Sequence, residues 1–573
     1  MPTRGELIGS LTSPGAPFEI TTTTIFGWND IRIYSSQPAS LRDVFEAGRE
    51  RDDQAHLIVG DRQWTFAEVA TDVDHVAAGL VELGVGPGDR VAVLASNCRE
   101  WVLTFWATVN IGAVVVGLNG FWGADEITNA IALTSPKLLV ADVKRRDRIT
   151  DRLPELAARG IDGVITTDDV HRMSVDQADA SIAAPEISPD DTALVFFTSG
   201  TTGPAKGVPN THRGVIACMQ NVMLSALVGM QQAAASTPAG TPPAPPPAQP
   251  AGPVRTLVTS PMFHVSGCHA GIILGWMTGQ TLVLPEGSLT ADAITSTIER
   301  RRVTSWPAVP ALVWRVVNDP VSAERDLSSV TRLSFGGAGA PPELIARVRE
   351  RFPNAASSLA TGWGLTETSA ALTSHGGPAY AADPSDVGAP YPIIELRFVD
   401  PDSGAESATG PGEIWVRGCQ VMSGYWNDPA ATATVLDEDG WFRTGDVGHL
   451  DEAGSLHLTD RVKDVILRGG ENVSATEVEH RILEHPAVDE VAVVGAPHPT
   501  LGEQVRAVVV PVPGRAPNVT PDVVRSWVAQ TLAPFKVPSV VDVRTEPLPR
   551  NATGKLLKRH LRRELADPTE EAP

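Results

Sequence analysis

The chain is poor in the residues that would place it in several large classes. Its four cysteines, Cys98, Cys218, Cys268 and Cys419, are too scattered for a disulfide framework and form no Cys-x-x-Cys pair. That usage fits a reducing compartment. Basic residues are outnumbered, 46 Lys and Arg against 68 Asp and Glu, for a formal charge of −22. A surface of that sign repels a phosphodiester backbone, so nucleic acid is excluded as a partner class. It does not exclude a nucleotide, which needs only a few local cations and a metal. The first residues, Met1-Pro-Thr-Arg-Gly-Glu, lack a secretory pattern, and the final Glu571-Ala-Pro573 lacks a prenylation box or peroxisomal address. Long hydrophobic runs are scarce too. The uncharged stretch from Trp101 to Ala124 could cross a bilayer by length, but Asn110, Gly112, Gly117, Asn119 and Gly120 interrupt it. It reads instead as a buried helix, Trp101 to Asn110, followed by a strand at Val114 to Leu118. The expectation is a cytoplasmic protein without an integral membrane span. Peripheral membrane contact and a homodimer are both left open.

What is present points to an α/β protein of several lobes. A chain of 573 residues exceeds one ordinary core. Apolar strand-like runs at Val91–Ala95, Lys137–Ala141, Ala193–Phe197, Thr256–Thr259, Thr281–Leu284 and Leu333–Phe335 alternate with helical stretches, the pattern of parallel sheets covered by helices. Val73 to Leu83 has helical spacing and stops at Gly84. Residues Ala233 to Pro253 hold eight prolines and no charge, a composition that cannot bury a core and predicts a surface loop. After about Asp460 the pattern changes. A short strand is expected at Val462–Leu467 and a helix at Ala475–His485 capped by Ser474. Strands near Val491–Val494 and Val505–Val512, a helix at Pro521–Leu532 and a basic helix at Leu556–Leu565 complete a small α+β lobe.

Four motifs carry chemistry. Thr198-Ser-Gly-Thr-Thr-Gly-Pro-Ala-Lys206-Gly207 follows a buried strand. Such a turn offers backbone N–H groups and hydroxyls to phosphate oxygens, and Lys206 adds a positive charge. It is not a Walker loop, because Lys206 precedes Gly207 and Val208 follows. In Gly362-Trp-Gly-Leu-Thr-Glu-Thr368, glycines flank an aromatic whose face could meet a base, and Glu367 is a hard oxygen ligand suited to Mg²⁺. Trp441-Phe-Arg-Thr-Gly-Asp446 and Asp460-Arg461-Val-Lys463-Asp464 supply a carboxylate able to grip a ribose diol and a guanidinium beside it. Leu548-Pro-Arg-Asn-Ala-Thr-Gly-Lys555 sets a lysine in a loop before a basic helix. Taken singly, Trp363 reads as a core aromatic, Asp446 as a turn residue and Lys555 as part of a solvated tail.

In this order and spacing the set resembles the adenylate-forming (AMP-binding) superfamily, which includes acyl-CoA synthetases, peptide-synthetase adenylation domains and beetle luciferases. With Gly336-Gly-Ala-Gly-Ala-Pro341 and Gly469-Gly-Glu-Asn472 it looks most like bacterial fatty or medium-chain acyl-CoA synthetases. The resemblance runs from about Leu41 to the C-terminal helix. It implies a large N-terminal multi-subdomain α/β domain, 1–460, with helix-covered sheets and a small β-barrel-like part, and a small mobile C-terminal α+β domain, 461–573, carrying the catalytic lysine. It implies ATP, Mg²⁺ and coenzyme A as cofactors. Thr198, Ser199, Gly200, Thr201, Thr202, Gly203 and Lys206 would cradle the β- and γ-phosphates. Gly337, Ala338 and Gly339 would border the adenine, with Trp363 on its face where the family more often has Tyr. Thr366 would meet the α-phosphate, Glu367 and Thr198 would hold the metal, and Asp446 and Arg461 the ribose. Lys463 would be the hinge, Lys555 the catalytic lysine, and Gly469, Gly470 and Glu471 the border of the pantetheine path. His264 and Gly364 would line the acid pocket, Gly364 leaving it open where acetate-restricted relatives carry Trp. The family's usual Gly before Arg461 is Asp460 here.

The activity so implied joins a medium- or long-chain or ring-bearing acid to CoA through an acyl-AMP. Two other readings remain at this point: a fatty acyl-AMP ligase that loads a carrier protein, and a non-catalytic nucleotide- or lipid-binding relative.

Overall fold

The computed structural model describes residues 3–158, 161–176, 184–198, 205–235, 252–337, 339–401, 403–461, 464–468, 471–498, 500–551 and 555–566. Two large sheets form the N-terminal part. One has six strands, in the order Lys206–Thr211, Thr192–Thr198, Val114–Gly117, Arg90–Leu94, Leu138–Ala141 and Gly163–Thr166. All neighbours are parallel except the first pair. The second has eight strands. Its parallel centre runs from Leu359–Thr361 through Arg332–Phe335, Ser305–Ala308, Arg255–Leu257 and Thr281–Leu284 to Ala55–Val59, and an antiparallel strand closes each edge. Parallel sheets are covered on both faces, so their strands are apolar throughout. Val114–Gly117 and Leu138–Ala141 fit that rule.

The uncharged stretch folds inward rather than across a membrane. Helix Arg99–Asn110 is buried at every position but Glu100, and Val114–Gly117 is a fully buried central strand. Trp106 of this helix packs into an aromatic cluster in which Phe45 and Trp276 stack at 4.6 Å. Helix Phe66–Glu82 covers the same core and ends where Gly84 adopts φ +82°, a left-handed conformation that costs glycine little. Helix His212–Ala235 is the one described helix long and apolar enough to span a bilayer by composition. More than half of that stretch is buried in the protein. The proline-rich tract follows it, and residues 236–251 lie outside the described residues.

A five-stranded antiparallel sheet, Glu406–Ser407, Glu395–Val399, Gly412–Arg417, Phe442–Leu450 and Leu456–Arg461, forms the part expected to be barrel-like. The last sheet, in the C-terminal part, begins at Ile466–Arg468. It adds Glu471–Val473, Gly502–Pro511, Val488–His498 and Val540–Val543, with helices Ala475–Leu483, Pro521–Ala529 and Lys558–Ala566. The expected strand at Val462–Leu467 is displaced. The chain turns after Arg461, where the Asp464 N–H donates to the Arg461 carbonyl at 2.8 Å, and pairing resumes only at Ile466. Of the apolar residues in that run, Val462 lies outside the described residues, as does Lys463, and Ile466 and Leu467 belong to strand Ile466–Arg468.

The crossing is tied down. Ser474 caps helix Ala475–Leu483 by accepting from the Glu477 N–H. Its hydroxyl also donates to Asp460 Oδ2 at 2.9 Å, and the Thr476 N–H reaches the same oxygen at 3.4 Å. A carboxylate at a helix N-terminus faces the positive end of the dipole. The departure from glycine at position 460 therefore has a structural role: it joins the last strand of one sheet to the first helix of the next part.

Candidate active site

The site assembles where loops from three sheets meet. Strands Thr192–Thr198 and Lys206–Thr211 pair antiparallel, with Lys206 opposite Thr198. The phosphate-type turn thus closes a hairpin, whereas a Walker loop passes from strand to helix. Ser199, Gly200, Thr201, Thr202 and Gly203 lie outside the described residues, as do Ala338, Lys463, Gly469 and Gly470. The Lys206 ammonium sits 4.5 Å from the centre of the Tyr425 ring, and no carboxylate pairs with it among the described residues. The Tyr425 hydroxyl donates to Glu367 Oε1 at 3.0 Å.

Glu367 lies in a single 3-10 turn, Thr366–Thr368, pinned from both sides. Asn210 Nδ2 donates to the Thr366 carbonyl at 3.1 Å, and the Met422 N–H to the Glu367 carbonyl at 2.9 Å. Burial raises the Glu367 pKa above the ordinary carboxylate value. Among the described residues no group of three or more His, Cys, Asp or Glu could cage a metal. One buried carboxylate beside a cation suited to phosphate fits Mg²⁺, which prefers one or two carboxylates completed by substrate phosphates and water.

Asp446 and Arg461 face each other on neighbouring strands, in register, and Arg461 Nε pairs with Asp446 Oδ1 at 2.8 Å. The other oxygen, Oδ2, accepts from the Trp363 indole N–H at 2.9 Å. Both side chains are buried, Asp446 6% and Trp363 7% exposed. The indole therefore holds the carboxylate. Gly337 and Gly339 border an open loop after strand Arg332–Phe335. Gly337 has φ +79°, and nothing lies within 4 Å of the missing Cβ of Gly339.

Gly364 has a different reason to be glycine. It pairs with Ala371 in a two-residue antiparallel contact. A Cβ there would meet the Ala370 carbonyl oxygen at 1.8 Å and the Ala371 Cα at 2.8 Å. A side chain at 364 must first displace backbone, so substituting tryptophan would break this hairpin rather than simply fill the acid pocket. Glu471 lies in strand Glu471–Val473 of the C-terminal sheet, paired with Arg468.

Lys555 comes from near the far end of the chain. Asn551 closes its loop, with the Asn551 N–H donating to the Lys555 carbonyl and the Lys555 N–H to Asn551 Oδ1, both at 2.8 Å. The Lys555 ammonium is pushed down to about 8, by burial first. Arg461 contributes to that lowering, while Asp446, Asp464 and Glu367 oppose it. His264, at the start of a short helix with Nδ1 near Ser266, is pushed down to about 4 by burial and then by Lys555. Lys555 therefore shares one electrostatic neighbourhood with Glu367, Asp446, Arg461 and His264.

Tyr425 and His269 were not singled out from the sequence. Tyr425 is one of only four tyrosines and sits in Gly424-Tyr-Trp426, a signal that could have drawn attention. A surface depression of about 370 Å³ near Trp64, Arg99 and His171 shares no residue with this site.

The chain matches the family described as AMP-binding enzyme over residues 44–426, and that described as AMP-binding enzyme C-terminal domain over 477–555. It belongs to this family of adenylate-forming enzymes. Among particular relatives, it is 32% identical over 507 residues to a feruloyl-CoA synthase from Amycolatopsis, covering 88% of this chain and 94% of that protein. It is 34% identical over 555 residues to a Mycobacterium tuberculosis propanoyl:CoA ligase whose acid carries a methyl-dioxo-octahydroindenyl ring system, covering 93% and 99%. The fold is similar to that of ATP-bound MatB from Rhodopseudomonas palustris, with TM-score 0.78, 27% identity and coverage of 92% and 100%.

Proposed function

We propose that this protein is an AMP-forming acid:CoA ligase that activates a ring-bearing carboxylic acid. It is an acid–thiol ligase, with ATP, Mg²⁺ and coenzyme A as its cofactors. The observation that carries the reading is the half-buried Lys555, a C-terminal lysine, within electrostatic reach of the Asp446–Arg461 pair and Glu367. The preference for a ring over a plain alkyl chain is supported by the ring-bearing acids in the names of the two sequence relatives.

In the first half-reaction a carboxylate oxygen attacks the α-phosphorus of ATP, and the bond to pyrophosphate breaks. Both reactants are anionic, so the protein must supply cations where charge develops. Lys206 and the residues from Thr198 to Gly203 take the β- and γ-phosphates, and Thr366 meets the α-phosphate. Gly337, Ala338 and Gly339 border the adenine, and Asp446 and Arg461 hold the ribose. Glu367 with Thr198 would hold Mg²⁺, which would supply neutralisation of phosphate charge. Lys555 stands between carboxylate and α-phosphate. In the second half-reaction the CoA sulfur attacks the acyl carbon, AMP leaves, and the thiol proton is released. Residues 461–573 turn about Lys463, withdrawing Lys555 and bringing Gly469, Gly470 and Glu471 to the pantetheine, with His264 and Gly364 at the acid. The free, separated cysteines suit the cytoplasm.

Hydroxamate trapping with and without CoA tests the assignment. Acid-dependent pyrophosphate release, with hydroxamate yield falling as CoA is added and a thioester appearing, is the expected result. An adenylate that forms but never passes to CoA would overturn it in favour of a carrier-protein ligase.

A further inference from the structure

Asn97 joins the two large sheets at the loop that carries His264. It stands between strand Arg90–Leu94 of the six-stranded sheet and helix Arg99–Asn110. Its amide meets the segment that follows strand Arg255–Leu257 of the eight-stranded sheet. Nδ2 donates to the Ser260 carbonyl at 2.8 Å and to that of Val258 at 3.4 Å, and Oδ1 accepts from the Met262 N–H at 2.9 Å. Val258, Ser260 and Met262 are all buried. Backbone groups there need protein partners, because a buried donor or acceptor left unpaired is costly.

The loop has little slack. The Thr259 hydroxyl accepts from the Trp306 indole N–H at 3.0 Å, and the His264 N–H donates to the Pro261 carbonyl at 3.2 Å. A Cβ at Gly267 would lie 2.2 Å from the Pro261 carbonyl oxygen and 2.5 Å from that of Ser260. A Cβ at Gly117 would lie 3.2 Å from Phe263 Cα and 2.4 Å from the ring of Phe196, on the strand that enters the phosphate turn. Residues 258–264 are therefore wedged between the short helix that His264 begins and the strands beside the phosphate turn, and Asn97 sets three of their backbone groups at once. The pairing calls for a donor and an acceptor on one planar group. A carboxylate offers acceptors alone and would oppose the Ser260 carbonyl, whereas a protonated carboxyl regains one donor. Leucine, of similar shape, offers neither.

We propose that Asn97 is a positioning residue for the acid end of the site: by fixing residues 258–262 it sets where His264 stands, so its effect falls on the acid and not on ATP. The assignment rests on the acid-ligase reading above and adds to it a residue that acts through another.

Initial rates of pyrophosphate release test it, with ATP and whichever of benzoate, cinnamate, 3-phenylpropanoate and decanoate the intact enzyme uses best. Asn97→Leu should lower kcat/KM for the acid by about tenfold or more, since a misplacement of about 1 Å can cost about 10²-fold, while the KM for ATP stays within about twofold. Asn97→Asp should be as poor near pH 8 and recover toward the intact enzyme as pH falls to about 6, because protonation gives the carboxyl a donor. Charged groups on the flanking segments are Asp142, which accepts from the Ser96 N–H at 3.0 Å and pairs with Arg145, Glu100, which acts on Cys98, and Arg99, which is turned to Asp72. Burial and the two carboxylates favour the protonated form. On the loop side His264 is held neutral, pushed down to about 4, with Lys555 beyond it. Taking each rate relative to the intact enzyme at the same pH removes any limb that Lys555 gives to both. A rise in the KM for ATP as large as the loss toward the acid, or a ratio for Asn97→Asp that stays flat across this range, overturns the inference and leaves the ligase reading standing. If neither variant folds at either pH, the inference is also overturned, because the tie is then structural only. If the intact enzyme releases pyrophosphate with none of the acids, the ligase reading and this inference fall together.

Discussion

Replacing Lys555 separates the two half-reactions, and the structure says how. Its side chain is half-buried, and its ammonium feels the charges of the Asp446–Arg461 pair and Glu367. A preorganised donor in such a site contributes about 2.7–4 kcal/mol to the transition state, or roughly 10²–10³ in rate. Lys555→Ala should therefore slow acyl-adenylate formation by about that factor, measured by single-turnover pyrophosphate release. It should leave nearly unchanged the thiolysis of acyl-adenylate supplied ready-made, because in the proposed cycle the lysine has withdrawn by then. Equal losses in both assays would refute the role.

The same group gives the reaction an alkaline limit. Lys555 loses its proton near pH 8 in the free enzyme, so kcat/KM for ATP should fall as pH rises through about 8. Bound ATP adds negative charge, so the limb in kcat should lie higher. Lys555→Arg keeps a charge that does not titrate in this range, and the limb should vanish in whatever activity remains. Stability responds in the opposite sense. Between about 8 and the ordinary lysine value the unfolded chain binds more protons than the folded one, so this group's penalty is fully present below pH 8 and is relieved above it. A flat rate profile to pH 10 in the intact enzyme would sink the argument.

Four other outcomes follow from single contacts. Trp363→Phe keeps an aromatic face but loses the N–H to Asp446 Oδ2; at about 1.5–3 kcal/mol for a bond to a charged group, the KM for ATP should rise tenfold or more. Tyr425→Phe retains the ring under Lys206 and removes the donor to Glu367, so the Mg²⁺ concentration for half-maximal rate should shift several-fold with little change in acid KM. Gly364→Ala should lower the melting temperature, because its Cβ collides with backbone at 1.8 Å, an overpacking of about 1–3 kcal/mol. Asp460→Gly removes the tie to Ser474 and Thr476; stopped-flow should show adenylation slowed a few-fold and thiolysis unaffected or faster.

Much of the fold was legible because apolar periodicity and capping are local. The strand at Thr192–Thr198, the all-round buried helix at Arg99–Asn110, the Gly84 stop and the Ser474 cap each declare themselves within a few residues. Among the described residues, the strand expected at Val462–Leu467 begins only at Ile466, for the complementary reason. An apolar run does not reveal that the chain changes sheets within it, and only the turn at Asp464 divides the segment. At the site, the residue types in the motifs were readable one at a time, but what each side chain bonds to was not. Trp363 and Asp446 lie 83 residues apart, and Tyr425 and Glu367 lie 58 apart. No spacing rule links such pairs, because the partnership depends on which sheet edges meet.

That limit explains why tryptophan can stand where the family more often has tyrosine. Both rings offer a face to a base, but the indole also carries an N–H that projects beyond its six-membered ring, and here it reaches a buried carboxylate already paired with a guanidinium. A carboxylate held at both oxygens is fixed before nucleotide arrives, so less ordering remains to be done on binding. The same logic runs through Tyr425, which sets Glu367 and faces Lys206 with one side chain, and through Asp460, which fixes the crossing that brings Lys555 to the site. In the first two cases a neutral donor holds a charge in place; in the third a carboxylate accepting from Ser474 and Thr476 fixes the chain. The chemistry needs those charges near one another before substrate neutralises them, and a folded chain resists that crowding unless neutral donors such as these hold the groups there.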